Sequence, residues 1–240
     1  MKIQKDIIYG NPSIEHHNLD IYMPDTAPQT LLVYFHGGGI ESGDKSELSN
    51  KARLTDSGIG VILPNYRMYP NASYPQFLND AAQAVAWTYD NYKAAKIFIG
   101  GSSAGAYIAM MLAFDKQYLS IYGINPDSVS GYIFDAAQPT AHFNILREFG
   151  IDSRRIVVDE RAPLYHITAD RNYPPMLVIC SDNDIQNRYE QTLLFMSTLD
   201  HFGYADKAEF KLMKGYAHCE YTGQPVFCDM ISDFILKSGI

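Results

Sequence analysis

Cysteine is scarce in this sequence of 240 residues. The three cysteines, Cys180, Cys219 and Cys228, have no metal-like spacing, and an odd number of thiols is typical of free or buried side chains in a reducing compartment. Long hydrophobic runs are also missing, since none approaches the length of a membrane span. Residues 1–6 lack the apolar core of a signal peptide. These absences predict a cytoplasmic protein that holds no metal and does not insert into a membrane.

Positive charge is in the minority, because 19 Lys and Arg residues face 27 Asp and Glu residues, for a formal net charge of -8. A nucleic-acid partner would require a basic footprint, so this balance argues against one. The hydrophobic and charged fractions, 47% and 19%, are those of an ordinary globular protein. The length suits one large α/β domain, and no linker-like or repetitive segment divides the chain. We therefore expect residues 1–240 to form a single domain.

Short hydrophobic runs rich in β-branched and aromatic residues recur along the chain. They are unbroken rather than alternating, which is typical of strands covered on both faces in a parallel sheet. The predicted strands are Leu31–Phe35, Gly60–Leu63, Ile97–Ile99, Gly131–Phe134, Met176–Cys180 and Phe210–Met213. Two earlier segments, Asp6–Tyr9 and Leu19–Tyr22, fit an antiparallel hairpin at the edge of the sheet.

Helical periodicity fills the intervals between these strands. Apolar residues recur at three- and four-residue steps from Leu78 to Tyr89 and again from Phe227 to Ile235, as on the buried face of a helix. Repeated strand–helix–strand units imply right-handed crossovers. The predicted fold class is therefore α/β, with a mostly parallel central sheet and helices on both faces.

The most informative motif is Gly-Ser-Ser-Ala-Gly at residues 101–105, between a predicted strand and a predicted helix from Ala106 to Phe114. A Gly-x-Ser-x-Gly motif in this context is typical of a nucleophile elbow, a tight turn that lifts a serine hydroxyl clear of the sheet. The motif places Ser103 at the apex of the turn. Ser102 is the alternative hydroxyl, but at the x position we expect its side chain to point elsewhere.

A second motif strengthens this interpretation. The chain reads His-Gly-Gly-Gly from His36 to Gly39, directly after an apolar run, and this is the oxyanion-loop signature of esterases and lipases. With both motifs present, the sequence resembles the α/β-hydrolase superfamily. Within it, the nearest resemblance is to esterases related to hormone-sensitive lipase and to the small bacterial acetyl and feruloyl esterases. The resemblance covers nearly the whole chain and includes residues 19–24, 65–67, 162–166 and 174–178.

The resemblance implies that a catalytic acid and then a histidine follow the serine. His218 fits the base, because it follows a predicted strand and precedes the last helix. Asp184 fits the acid, since the spacing after the preceding strand favours it over Asp182. Asp135, one strand earlier, is a third candidate because some relatives place the acid there. The expected catalytic residues are Ser103, Asp184 and His218.

The resemblance also implies an oxyanion hole, in which backbone N–H groups bind the negative oxygen of the tetrahedral intermediate. The expected donors are Gly37, Gly38 and Ala104, the last being the residue after the nucleophile. Ile40 stands where many small relatives carry an aromatic residue, so the shape of their acyl pocket does not transfer to this chain. Tyrosines near these motifs are either pocket-flanking residues or ordinary amphipathic packing residues, namely Tyr66, Tyr69, Tyr74 and Tyr107.

The stretch from Ala136 to Tyr173 is too long for a simple connection, so we expect residues 136–173 to form an insertion near the active site, with its mobility left open. In the resembling family, a cap over the acyl site often draws on this position. His36 comes so early that the N-terminal part is too short for the helical cap of many relatives. We therefore expect a comparatively open site that favours small acyl groups.

Together these features predict a serine carboxylester hydrolase that needs no cofactor and acts on small, acetyl-like esters through an acyl-enzyme. Carbohydrate and phenolic esters are the candidate substrates. An arylformamidase-type amide hydrolase is the nearest alternative, and a non-catalytic small-molecule-binding protein on the same fold is the rival from another class. The expected partner is the small-molecule ester, with no nucleic acid and no membrane, and the sequence leaves a homodimer open.

Overall fold

Eight strands form the sheet around which the molecule is built. The computed structural model describes residues 1–93 and 95–238. The strand order across the sheet is β1-β2-β4-β3-β5-β6-β7-β8. The strands are β1 (Lys2–Ile8), β2 (Asn18–Met23), β3 (Thr30–Phe35), β4 (Ile59–Pro64), β5 (Lys96–Ser102), β6 (Gly131–Asp135), β7 (Met176–Ser181) and β8 (Ala208–Met213).

The sheet is parallel through most of its width. From β4 across to β8, every adjacent pair of strands is parallel. At the other side, β1 and β2 form an antiparallel hairpin, and β2 pairs antiparallel with β4. Every residue of β4, β6 and β7 is buried, as expected of strands covered on both faces. The predicted α/β sheet and its edge hairpin are confirmed, although the hairpin strands are longer than predicted.

Helices cover both faces of this sheet. They are α1 (Lys51–Asp56), α2 (Gln76–Asn91), α3 (Ala104–Phe114), α4 (Gln117–Ser120), α5 (Phe143–Glu148), α6 (Arg188–His201) and α7 (Pro225–Ser238). Apolar side chains of α2, α3 and α6 share one core with the sheet, and those of α1 and α7 belong to a second core on the other face. All 11 residues of α3 are buried, which explains why this segment is apolar all round rather than amphipathic.

The structure gives two findings on the helices and the cysteines. Across residues 1–93 and 95–238, none of the helices has both the length and the apolar character needed to cross a bilayer. The three cysteines, Cys180, Cys219 and Cys228, are free thiols.

The long connection between β6 and β7 is packed against the rest of the fold. Residues 136–142 are buried, and α5 and a 3-10 turn at Pro163–His166 follow. The side-chain amide of Asn144, in α5, donates a hydrogen bond to the carbonyl oxygen of Gly39. The predicted insertion therefore contacts the glycine-rich loop at one end of the sheet.

That same end of the sheet collects the residues singled out by the sequence. Parallel strands β5, β6 and β7 end at Ser102, Asp135 and Ser181, and the carboxyl ends of parallel strands meet at one edge. Ser103 and Asp184 follow these strands in the chain. The topology thus assembles at one edge Ser103 and Asp184, which are 81 residues apart in sequence.

Candidate active site

The turn between β5 and α3 holds Ser103 in a strained backbone conformation. Its φ and ψ are 53° and -113°, a region that non-glycine residues rarely adopt and that is common at functional sites. A Cβ atom on Gly105 would lie 2.1 Å from the carbonyl oxygen of Phe35, and one on Gly101 would lie 2.4 Å from the carbonyl carbon of Gly105. Both flanking glycines are therefore required for the turn to pack against the sheet, as the elbow motif predicts.

His218 bridges the serine and an acidic residue. Its Nε2 atom lies 2.8 Å from the Ser103 Oγ atom, and its Nδ1 atom lies 2.6 Å from the Asp184 Oδ1 atom. Because a carboxylate only accepts, Nδ1–H donates to Asp184, which leaves Nε2 to accept the hydroxyl proton of Ser103. The structure brings the three predicted catalytic residues into one hydrogen-bonded chain, with the Asp184 side chain fully buried at 0% exposure.

Two contacts hold the loop after β7 against the loop after β8, and a third, within the first loop, fixes the Asp184 carboxylate. The Asp184 Oδ1 atom also accepts the backbone N–H of Ile185 at 2.6 Å. Asp182, which the sequence left as a lesser candidate for the acid, accepts the backbone N–H of Gly215 at 2.6 Å. The Ser181 hydroxyl donates to the carbonyl oxygen of Tyr216. Asp182 therefore braces the segment that leads to His218 and does not contact the histidine ring.

Asp135 occupies a separate, buried hydrogen-bond network beneath the elbow. Its carboxylate accepts the hydroxyl of Ser102 at 2.5 Å and the hydroxyl of Tyr221 at 2.5 Å. The Tyr34 hydroxyl lies 2.7 Å from the Ser102 hydroxyl and extends the network. Burial raises the pKa of Asp135 to about 6, and the two hydroxyl donors oppose that rise. Within the described residues no hydrogen bond joins Asp135 to His218, so the geometry favours Asp184 as the acid.

The direction of Ser102 agrees with its position in the motif. Its hydroxyl is engaged by Tyr34 and Asp135, whereas the hydroxyl of Ser103 faces His218. Sequence reasoning missed Tyr34 and Tyr221 as members of this cluster. Tyr34 lies inside an apolar strand, where nothing distinguishes it from a packing residue, and Tyr221 could have been found only through its closeness in sequence to His218.

The glycine-rich loop adopts a conformation that needs its glycines. Gly38 and Gly39 have φ values of 92° and 66°, and a Cβ atom on Gly38 would lie 2.0 Å from the carbonyl oxygen of Ser42. A Cβ atom on Gly37 would lie 3.4 Å from the Ser103 Cβ atom, so the loop lies directly against the elbow. Ile40 also has a positive φ, 67°, which is strained for a β-branched residue.

His36 shapes this loop from within. Burial lowers the pKa of His36 to about 4, so the ring is neutral and its Nδ1–H donates to the carbonyl oxygen of Gly37 at 2.9 Å. The ring stacks on Tyr66 with centroids 4.4 Å apart, and the Tyr66 hydroxyl donates to the His36 carbonyl oxygen at 2.9 Å. The carbonyl oxygens of His36 and Gly37 are thus both hydrogen-bonded to side chains of the protein. This arrangement favours a loop whose backbone N–H groups point away from those side chains.

The expected oxyanion donors lie around Ser103. Ala104 is the first residue of α3, and the first N–H groups of a helix have no partner within the helix. The positive end of the helix dipole adds to the attraction for a negative oxygen at this point. Gly37 and Gly38 are on the facing loop. The assignment of Gly37, Gly38 and Ala104 as the oxyanion hole stays a prediction, and this placement favours it.

A cleft of about 430 Å³ opens above the serine. The side chains that line it beside the catalytic residues include Tyr34, Leu48, Phe143, Ile185, Cys219 and Phe227. The prediction that Tyr66, Tyr69, Tyr74 and Tyr107 flank the pocket is wrong, since none of the four lines the cleft. Tyr66 and Tyr107 are instead fully buried in the core, because their rings cover apolar surface and their hydroxyls bind backbone carbonyls.

Cys219, next to the histidine, is a further residue that the sequence did not single out. Its Sγ atom lies 3.6 Å from the Nε2 atom of His218, and it lines the cleft. Burial raises the pKa of the Cys219 thiol, so the sulfur is uncharged at neutral pH and is a poor nucleophile. In the part of the chain that the structure describes, no group of three His, Cys, Asp or Glu side chains is arranged to hold a metal ion.

Comparison with known sequences places residues 19–130 within the BD-FAE family model. An acetyl esterase of Salmonella schwarzengrund is 26% identical over 222 residues, which cover 82% of this chain and 67% of that protein. A kynurenine formamidase of Meyerozyma guilliermondii is 27% identical over 124 residues, covering 50% of this chain and 46% of that one. Several other curated relatives are matched over 12% to 48% of their own length.

Comparison with solved structures agrees on the architecture. A truncated carbohydrate esterase from gut microbiota superposes with a TM-score of 0.79 at 20% identity, over 99% of this chain and 96% of that one. Esterase B from Lactobacillus Rhamnosis (HN001) gives a TM-score of 0.78 at 15% identity, over 99% and 86% of the two chains. The chain therefore has the α/β-hydrolase fold, and its resemblance to esterases of that superfamily is confirmed.

Proposed function

We propose that this protein is a serine carboxylester hydrolase in which Ser103, Asp184 and His218 form the catalytic triad. The observation behind this proposal is the position of His218, whose two ring nitrogens are hydrogen-bonded to the serine hydroxyl and to the buried carboxylate. A serine is a weak nucleophile unless a base, itself oriented by a third group, takes its proton. This geometry meets that requirement.

In the proposed reaction, the Ser103 Oγ atom attacks the ester carbonyl carbon while His218 Nε2 accepts the hydroxyl proton. The N–H groups of Gly37, Gly38 and Ala104 bind the oxyanion of the tetrahedral intermediate, and donors of this kind contribute about 10²–10³-fold in rate each. His218 then gives its proton to the leaving alcohol, which breaks the ester C–O bond and forms the acyl-enzyme. A water deprotonated by His218 hydrolyses the acyl-enzyme. Throughout, Asp184 holds the histidine tautomer and stabilises the imidazolium.

The proposed substrates are esters of short acyl groups. A cleft of about 430 Å³ is near the lower end of the range for small-molecule sites, which is about 300–1,000 Å³. Phe143 and Phe227 line it with large rings, and the limited volume, rather than a lack of apolar surface, disfavours a long acyl chain. Relatives named acetyl esterase and carbohydrate esterase support an acetyl group on a sugar or phenolic alcohol.

A second candidate is hydrolysis of an aryl formamide. The match to a protein named kynurenine formamidase favours it, and the proposed chemistry would be the same, with an amine as the leaving group. A formyl group is smaller than an acetyl group and fits any site that accepts acetyl. The kcat/KM of an aryl acetate against that of the corresponding N-formyl aniline separates the two activities, and we expect the acetate to be preferred.

A fluorophosphonate probe and a series of 4-nitrophenyl esters test the proposal. We expect Ser103→Ala to abolish labelling and to lower kcat for the acetate by about 10⁴–10⁶-fold. The matched control is Ser102→Ala, which removes the adjacent hydroxyl and should retain labelling and most of the activity. Within the series, kcat/KM should be higher for acetyl and butyryl than for octanoyl esters. Full activity in Ser103→Ala, or no labelling of the wild-type protein, would refute the proposed mechanism.

A further inference from the structure

A second cavity of about 450 Å³ lies beside the catalytic cleft. Phe143 and Ile185 line both spaces, so these two side chains form the wall between them. The second cavity is also lined by Arg154, Arg155 and Arg188, and no Asp or Glu among the described residues lines it. In a chain with a formal net charge of -8, a cavity with three arginines and no acid is a local reversal of the average charge.

Arg188 is the buried part of this cavity. It is only 3% exposed, and its guanidinium donates to the carbonyl oxygen of Ala136 at 2.7 Å and to the Gln138 Oε1 atom at 3.3 Å. Burial lowers the pKa of Arg188, but a guanidinium remains charged at neutral pH. No carboxylate in residues 1–93 and 95–238 lies within ion-pair distance of it. The charge of Asp184 acts on Arg188 from farther away, and that carboxylate is bonded to His218.

The two arginines at the mouth of the cavity differ in their partners. Arg154 is paired with Asp152 through two of its nitrogen atoms, which neutralises its charge locally. Arg155 is exposed, and within the described part of the chain its side chain makes no hydrogen bond or ion pair. Arg155 and Arg188 therefore present two positive charges whose hydrogen-bonding capacity is not used by a carboxylate of the protein.

The backbone adds to this positive character. Gln186 and Asn187 line the cavity and immediately precede α6, a helix of 14 residues. The N-terminus of a helix attracts anions through its dipole and through N–H groups that have no partner, although here the N–H of Arg188 is bonded to the carbonyl oxygen of Ile185 and Glu190 lies in the first turn. The cavity thus combines a buried guanidinium, an unpaired exposed guanidinium and a helix N-terminus around one space.

We propose that this cavity is a subsite for a carboxylate group carried by the substrate, on either its acyl or its alcohol part. Guanidinium groups match carboxylates in geometry and charge, and the shared wall at Phe143 and Ile185 places the subsite next to the reacting ester. The inference rests on the proposed function, since it assigns part of the substrate of that same site. It implies selection for acidic esters, such as those of hydroxybenzoic or dicarboxylic acids.

Two pairs of esters test the subsite, each pair differing only in one carboxylate. In the first pair the alcohol part carries the charge: 4-acetoxybenzoate against its methyl ester. In the second pair the acyl part carries it: 4-nitrophenyl hemisuccinate against its methyl ester. The variants are Arg155→Ala and Arg155→Glu, with Arg53→Ala as the matched control, because Arg53 is a surface arginine that lines neither cavity. The quantity compared is the ratio of kcat/KM for the charged over the neutral ester.

For at least one pair, we expect this ratio to fall about fivefold in Arg155→Ala, as an exposed ion pair allows, and further in Arg155→Glu. Arg53→Ala should keep the wild-type ratio. Equal ratios in wild type and Arg155→Glu for both pairs would overturn the subsite.

Binding to Ser103→Ala, measured by calorimetry with and without Arg155→Glu, separates this inference from the proposed function. If binding of 4-acetoxybenzoate depended on Arg155 but the wild type hydrolysed neither the charged nor the neutral esters, the subsite would be retained and the esterase rejected. Turnover of neutral esters together with binding that ignores Arg155 would do the reverse.

Discussion

Two aspartates at the same edge of the sheet have opposite surroundings. Asp135 ends β6, and Asp184 follows the neighbouring strand β7. Asp184 faces the imidazole of His218 at 2.6 Å, whereas Asp135 is enclosed by the hydroxyls of Ser102 and Tyr221. The first carboxylate has a partner that can become a cation, and the second has only neutral donors. Their environments, not their residue type or strand position, determine which of them can assist proton transfer.

The surroundings of Asp135 also affect its protonation. Burial raises the pKa of Asp135 to about 6, because hydroxyl donors only partly replace the water that a carboxylate loses on burial. Asp184 is equally inaccessible in its side chain, but the ring of His218 can supply a compensating charge during the reaction. Asp135 is therefore a structural group beneath the elbow, and Asp184 is the group whose charge the proposed mechanism requires.

The largest effect should come from exchanging each carboxylate for an amide. Asp184→Asn should lower kcat for 4-nitrophenyl acetate by about 10⁴-fold, because the amide cannot stabilise the imidazolium and can hold the wrong histidine tautomer. Asp135→Asn should lower kcat by less than about tenfold, since its carboxylate does not contact His218. Kinetics of the two purified variants under one assay, with circular dichroism to confirm folding, provide the measurement.

The opposite order of kcat losses in the two variants would contradict this assignment of the acid. If Asp135→Asn were the inactive variant and Asp184→Asn behaved like wild type, the acid would act from the end of β6, the alternative that the sequence left open. Comparable losses in both variants would mean that the two carboxylates work as one coupled unit.

The second-largest effect should be the pH dependence of the unfolding free energy that the buried Asp135 causes. Because the folded-state pKa of Asp135, about 6, exceeds the unfolded value of about 3.9, the folded protein binds this proton more tightly. The resulting stability is fully present below about pH 4 and is lost as the pH rises through 6. The difference corresponds to about 3 kcal/mol of unfolding free energy. Asp135→Asn removes this dependence, so the stability of wild type relative to the variant should fall by about that amount.

Urea unfolding of both proteins, from about pH 4 to about pH 7, measures this difference, and the subtraction cancels the other titrating groups. Parallel pH profiles for the two proteins would show that Asp135 is ionised at its ordinary pKa, and the proposed contrast with Asp184 would then fail.

The smallest effect should come from Asp182, which braces the histidine loop. Asp182→Ala removes the acceptor of the Gly215 N–H group, and loss of one exposed hydrogen bond costs about 0.5–1.5 kcal/mol. We expect kcat to fall about two- to fivefold as the loop carrying His218 loosens. Asp182→Asn is the matched control, because the amide oxygen still accepts this bond and should preserve wild-type kinetics. A larger loss in Asp182→Asn than in Asp182→Ala would contradict the bracing role.

Local patterns predicted the parts of the fold that depend on short segments. The apolar runs became β3 to β8. Strands β3 to β7 are largely buried on both faces and tolerate few polar residues, whereas β8, at the edge of the sheet, is only partly buried. The elbow was predictable because its glycines are required by close backbone contacts at Gly101 and Gly105. In contrast, two of the four tyrosines expected around the pocket, Tyr66 and Tyr107, lie in the core, because an amphipathic ring in the sequence does not indicate which surface it covers.

The sequence by itself determined the chemistry available: a serine in an elbow, a glycine-rich loop, a late histidine and three aspartates that could serve as the acid. These follow from motifs whose steric and hydrogen-bonding requirements lie within a few residues. Only the tertiary structure decided that Asp184 meets His218 while Asp135 binds Ser102 and Tyr221. It alone also brought Arg155 and Arg188 to one cavity beside the cleft. Such choices depend on distances of a few ångströms between residues far apart in the chain, which the order of residues does not encode locally.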